Sequence, residues 1–202
     1  VNLKYIKMTK KSKTRLFISK KLSLNMMVCI KDQQHHFLKN VLRAKINDVI
    51  MLFDNKTGEW KSRVISIDRD NSMLKVLEKN REINKEADIW LAFSPIKQHR
   101  LNITIQKATE LGVTKLIPCK TDYTNNNFLN YKSLDLNIIE AAEQCHRLTL
   151  PILEKQITLE NLINNHPKDR ALIFCNEQDN KGESMFTVIL SLKNIYDKWT
   201  VL

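Results

Sequence analysis

A chain of 202 residues is long enough for one large or two small domains with a sizeable buried core. Its 33 Lys and Arg against 22 Asp and Glu give a formal charge of +11, a balance that suits a polyphosphate partner and equally a lysine-rich solvated surface. No apolar run reaches membrane-spanning length, no apolar stretch follows the basic start, and the four scattered cysteines form no C-x-x-C pair, which excludes a secretory signal, a membrane span and a zinc ribbon. A soluble, cytoplasmic protein with reduced thiols and no metal is expected.

In chain order, Lys4, Lys7, Lys10, Lys11 and Lys13 make residues 1–13 a basic extension, read as a nucleic-acid arm or as solvated chain. Residues 14–85 carry short strand signals around one helix. Residues 15–19 and 48–54 are β-like, the run Asn55-Lys56-Thr57-Gly58 has hairpin-turn chemistry, and strands are expected over 59–67 and 73–77. Closely spaced strands of this kind predict a small barrel. Between the first two, Phe37, Val41 and Leu42 recur at helical spacing, with Lys39 and Arg43 flanking the apolar stripe. His35 and His36 are adjacent, so they point to different faces and do not ligate together.

A polar stretch over 78–88 reads as a linker, and residues 86–202 then alternate apolar runs with amphipathic helices, the pattern of a parallel sheet. Strands are expected at 89–93, 113–119, 152–153, 171–175 (a central strand) and 199–202. Helices are expected from Leu101 to a close at Gly112, over 134–147 with Ile138, Ala142 and Cys145 on one face, from an N-cap at Thr158, and over 186–192. With glycine only at 58, 112 and 182 there is no G-x-G-x-x-G and no Walker loop, so a cofactor site of another design is needed. The strand at 199–202 has no turn or helix after it. Ligand loops of open parallel sheets follow strand carboxyl ends, so the main ligand loop is expected to be missing from these 202 residues.

Three segments carry more than composition does. They are His36-Phe37-Leu38-Lys39-Asn40-Val41-Leu42-Arg43, Gln106-Lys107-Ala108-Thr109-Glu110-Leu111-Gly112-Val113, and Ala141-Ala142-Glu143-Gln144-Cys145-His146-Arg147. Singly, Lys107 with Glu110 and Glu143 with Arg147 read as surface ion pairs worth a few tenths of a kcal/mol. In this order and spacing the three segments resemble the SPOUT-class small-subunit methyltransferase E family, which methylates N3 of a uridine in 16S rRNA. The resemblance runs from about residue 15 to residue 202.

The resemblance implies an α+β two-domain fold, a PUA-like RNA-binding barrel followed by a SPOUT parallel-sheet domain. S-adenosylmethionine would be the cofactor, the small ribosomal subunit the partner, and a homodimer the full-length assembly. It also implies a glycine-rich segment and a knot-forming segment after a strand like 199–202, neither of which these residues contain, so the chain as given is expected to be inactive. Asp122-Tyr123-Thr124 stands where the family has a Glu-Arg-Ser run. By the same resemblance Arg147 is the candidate catalytic cation, with Glu143 holding it. Glu143 as a general base is disfavoured, because an ion-paired carboxylate is a poor base. Arg15, His36, Lys39, Arg43 and Lys107 are the candidate RNA contacts. Asn176 and Glu177, just past a strand end, are the candidate cofactor contacts. A non-catalytic RNA-binding protein and a methyltransferase acting on transfer RNA remain as alternatives, since fold class does not determine substrate.

Overall fold

The computed structural model describes residues 14–124, 128–175 and 184–202. The basic extension over 1–13 lies outside the described residues. Contacts divide the chain into two compact units, Val1–Asn84 and Lys85–Leu202.

The first unit contains β1 (Arg15–Phe17), β2 (Met27–Ile30), α1 (Asp32–His36) continuing into a π-helical turn over Phe37–Val41, β3 (Val49–Asp54), β4 (Gly58–Ile67) and β5 (Ser72–Arg81). One sheet results, in the order β1-β3-β4-β5-β2, antiparallel except for the β1–β3 pair. Alternation decides which face is buried. Along β5, Leu74 and Val76 point into the core with Leu16, Ile30, Leu52 and Val64, while Met73 and Lys75, alternating with them, take the other face.

The β3–β4 hairpin is fastened by one carboxylate. Asp54 accepts hydrogen bonds from the backbone N–H groups of Lys56 (2.7 Å) and Leu22 (2.6 Å) and from the Thr57 hydroxyl (2.6 Å). Gly58 closes the turn at φ +98°, a conformation only glycine adopts without strain.

Two expectations for this unit are corrected. The apolar stripe of the helix is Leu38, fully buried, flanked by Phe37 and Leu42, whereas Val41 is 63% exposed. The cause is the π turn, in which the Leu42 N–H bonds the Phe37 carbonyl five residues back (2.8 Å) and rotates Val41 outward. The linker is also shorter than 78–88, because β5 continues to Arg81 and only residues 82–87 lack regular structure.

The second unit contains β6 (Asp88–Phe93), α2 (Gln98–Glu110), β7 (Lys115–Lys120), α3 (Tyr131–Cys145), β8 (Ile152–Leu153), β9 (Ile157–Thr158), α4 (Leu159–Asn164), β10 (Ala171–Ile173), α5 (Met185–Leu192) and β11 (Lys198–Val201). Its sheet is parallel, ordered β10-β11-β6-β7-β8, with β9 also pairing β7. Both faces are covered, as parallel sheets require. Ile89, Leu91 and Phe93 of β6 pack with Leu101 and Ile105 of α2 and Leu134 and Ile138 of α3. Trp90 and Ala92 face the other way, toward Leu162 of α4 and Ile157.

The helix signals were specific. Gly112 follows α2 at φ +89°, and the Thr158 hydroxyl caps α4 by accepting from the Asn161 N–H (3.1 Å). The strand expected to be central, at 171–175, is instead β10 at the sheet edge. The last strand, β11, occupies the interior place between β10 and β6.

Candidate functional site

Chain order reverses between β6 and β11. From β6 the sheet grows one way through β7 and β8, and the other way through β11 and β10. The crevice outside the carboxyl ends at such a reversal is where open parallel sheets bind ligands. The residues at that edge are Ser94 after β6, residues 121–124 after β7, and Leu202 after β11. Hydrogen bonding ties the first two loops together. Ser94 and Thr124 share a hydroxyl–hydroxyl bond of 2.8 Å, and Thr124 Oγ1 also accepts from the Thr121 N–H (2.8 Å) and lies 3.0 Å from the Thr121 hydroxyl. Beside β11 the ladder continues to the end of the chain, with the Leu202 N–H bonding the Ile173 carbonyl and the Cys175 N–H bonding the Leu202 carbonyl, each at 2.8 Å. Asn176 and Glu177 lie outside the described residues.

Arg147, the expected catalytic cation, is buried at the end of α2. Helix α3 ends at Cys145, His146 turns the chain at φ +63°, and Arg147 then enters the interior with 6% of its side chain exposed. Nε and one terminal nitrogen grip the Glu86 carboxylate, at 3.1 Å and 2.5 Å for the closest approaches. The other terminal nitrogen donates to the carbonyls of Thr109 (3.0 Å) and Val113 (2.8 Å), and the Gly112 carbonyl lies 3.5 Å from the first. All five N–H groups are thus spent on internal acceptors, three of them carbonyls exposed by the end of α2. The guanidinium closes a helix terminus. The carboxylate expected beside it was Glu143; Glu86, 61 residues away in sequence, also grips the guanidinium.

Arg15, an expected RNA contact, is also held inside the fold. It is buried, its Nε donates to Glu59 (2.8 Å), and its guanidinium lies 4.3 Å from the centre of the Phe53 ring. Glu59 also accepts from Asn80 (2.6 Å) and Arg81 (3.0 Å). Burial raises the Glu59 carboxyl, but hydrogen bonds from Arg81 and Asn80 and the charges of Arg81 and Arg15 outweigh it and leave the group below its ordinary value. Arg15 therefore fastens β1 to β4 through Glu59.

The remaining basic candidates face outward. His36 and Arg43 are exposed, while the partly buried Lys39 donates to the carbonyls of Asp68 (2.8 Å) and Arg69 (3.3 Å). Lys107 is 57% exposed and pairs with Glu110 at 2.7 Å, as its i, i+3 spacing suggests. Cys119 is fully buried and its thiol is pushed up to about 11, which makes it inert at neutral pH.

Sequence reasoning missed Arg170. It lies buried at the amino ends of the strands, opposite the crevice, paired with the Asp88 carboxylate and donating to the carbonyls of Asp88 (3.0 Å) and Trp199 (2.8 Å). Its guanidinium stacks 3.6 Å from the centre of the Trp90 ring. An arginine immediately before an apolar strand was the available signal. Among the described residues no His, Cys, Asp and Glu group has the arrangement to hold a metal, and no helix is long and apolar enough to cross a membrane.

The model of the RNA methyltransferase domain matches residues 83–198, and that of the RNA methyltransferase PUA domain matches residues 30–77. Ribosomal RNA small subunit methyltransferase E of Rickettsia conorii is 32% identical over 181 residues, 89% of this chain and 73% of the relative. The chain belongs to the ribosomal RNA small subunit methyltransferase E family. The Buchnera aphidicola (Schizaphis graminum) member is 27% identical over 70% of this chain, a match spanning 61% of that relative's own length. Among solved structures, the Neisseria gonorrhoeae small subunit methyltransferase E bound to S-adenosyl methionine superposes with a TM-score of 0.71 at 21% identity, covering 94% of this chain and 88% of that one. The likeness establishes the two-domain fold, a PUA-like unit followed by a SPOUT methyltransferase unit. Membership is carried by the domain match and the Rickettsia relative.

Proposed function

We propose that this family member takes part in methylating N3 of a uridine in 16S rRNA, with S-adenosylmethionine as the methyl donor. The observation that carries the reading is the RNA methyltransferase match over the second unit, whose sheet order reverses between β6 and β11, the place where open parallel sheets bind ligands at their carboxyl edge. The names of the Rickettsia and Buchnera relatives support the small-subunit rRNA as substrate, and the cofactor held by the Neisseria structure supports the donor. Exposed His36 and Arg43, with Lys39 and Lys107, are the RNA contacts of this reading, positioning the backbone without specifying sequence.

Uridine N3 faces its pairing partner, so the base has to be unpaired or flipped before a methyl group can reach it. Holding that base still is the main task left to the protein. The described residues at the crevice do not by themselves make a cofactor cradle, because the hydroxyls of Ser94, Thr121 and Thr124 bond to one another. No reaction step is assigned to them.

The experiment is transfer of a labelled methyl group from S-adenosylmethionine to 16S rRNA and to transfer RNA, followed by mass mapping of the modified nucleoside. It is run with the 202-residue polypeptide and with the same polypeptide extended by the C-terminal segment of a relative. Label at uridine N3 of 16S rRNA is the expected result. Label on transfer RNA alone, at another atom, or in neither reaction rejects the proposal.

A further inference from the structure

The turn after β7 presents an aromatic ring that nothing in the fold requires. Tyr123 is 92% exposed, although it lies at the carboxyl end of a strand in the middle of the parallel sheet. A ring left in water on a floppy loop would mean little, but this turn is held. Thr124 Oγ1 bonds the Thr121 N–H at 2.8 Å, lies 3.0 Å from the Thr121 hydroxyl, and is joined to Ser94 at 2.8 Å. The backbone on both sides of the ring is therefore fixed to the end of β6, beside the reversal that opens the crevice.

The surroundings are basic. Lys120 at the end of β7, and Lys97 and Arg100 in the loop and first turn after β6, are all exposed, and the Ser94–Thr124 bond brings their two loops together. Asp122, exposed and next to Tyr123 in the chain, disfavours a phosphate at the turn itself. An aromatic face beside cations that track a backbone, with a negative charge discouraging phosphate at the turn, is the chemistry of a base-stacking platform.

We propose that Tyr123 stacks on an unpaired base of the RNA substrate at the mouth of the crevice, while Lys97, Arg100 and Lys120 hold the flanking phosphates. This deepens the RNA methyltransferase reading and rests on it.

The test titrates the 202-residue chain into a fluorescein-labelled single-stranded oligouridylate of about 15 nucleotides and into an RNA duplex of the same length, at one fixed ionic strength. Tyr123→Ala is expected to weaken single-strand binding about tenfold, while Tyr123→Phe stays within about twofold of the wild type and duplex binding changes less than about twofold in either variant. Single-strand binding by Tyr123→Ala equal to that of a binding-competent wild type overturns the stacking role and leaves the methyltransferase reading intact. An equal loss on duplex and single strand, or a loss in Tyr123→Phe as large as in Tyr123→Ala, overturns it too. Failure of the wild type to bind either RNA at low salt removes the RNA reading together with the platform.

Discussion

Arg147 and Glu86, 61 residues apart, form the ion pair that ties the start of the second unit to the end of α2. The same guanidinium takes up the Thr109 and Val113 carbonyls, so removing it strands a carboxylate and buried acceptors together. Arg147→Ala should therefore lower unfolding free energy by on the order of 3 kcal/mol, a figure moderated by the 29% exposure of Glu86. Arg147→Lys should recover little, because an ammonium cannot reproduce the planar fork. Urea denaturation of the three proteins decides it, and a loss under about 1 kcal/mol in the Ala variant would return Arg147 to the list of candidate site residues.

Gly58 and Gly112 both have positive φ, but their surroundings differ. A Cβ on Gly58 would stand 2.2 Å from the Arg81 carbonyl oxygen, whereas one on Gly112 meets nothing within 4 Å. Gly112→Ala should thus cost only the left-handed backbone strain, about 1–2 kcal/mol. Gly58→Ala adds a clash with backbone that cannot move without parting β4 from β5, and should cost about 3 kcal/mol or more. Thermal melting of the two variants side by side checks the order, and equal losses would mean that strain alone matters at both sites.

Local signals were legible and distant ones were not. The turn at 55–58, the cap at Thr158 and the closing Gly112 rest on residue chemistry within a few positions, and each was found. Strand β2 was missed although Val28 and Ile30 alternate with exposed Met27 and Cys29, because four residues between polar stretches are too short a pattern to stand out. The edge position of β10 was not readable, since sequence order carries no information about which strand slips between two others. The buried ion pairs of Arg15 and Arg147 went unread for one shared reason. Their partners Glu59 and Glu86 lie 44 and 61 residues away, and a basic side chain with a remote buried partner looks, in sequence, like one waiting for a phosphate.

The hairpin carboxylate makes stability depend on acid. Burial raises the Asp54 group, but the hydrogen bonds from Thr57, Leu22 and Lys56 outweigh it and leave it below its ordinary value of 3.8. A carboxylate lowered in the fold contributes stability that is complete above its unfolded value and is lost as pH falls through the folded one. Glu59 has the same sign, from its ordinary value of 4.5 downward. Stability should therefore be flat in this respect above about pH 5 and fall below it. Asp54→Asn should be less stable at neutral pH and show a shallower fall in acid, measured by urea midpoints across the range. Parallel acid profiles for variant and wild type would contradict the assignment.

Arg43 joins an exposed charge to an uncomfortable backbone. It stands at φ +49°, just past the π turn, where a side chain with a Cβ costs about 1–2 kcal/mol relative to glycine. Folding alone would favour glycine at this position, and the proposed contact with RNA phosphate would give an exposed arginine a use there. Arg43→Gly should therefore raise the melting temperature or leave it unchanged while weakening binding to 16S rRNA fragments. It should also reduce the dependence of log affinity on log salt by about one phosphate contact. Arg43→Ala, which keeps the strain, should show the same RNA defect without the gain in stability. Filter binding over a salt series, paired with melting curves, separates the two effects; unchanged affinity and slope in both variants would leave Arg43 as surface charge.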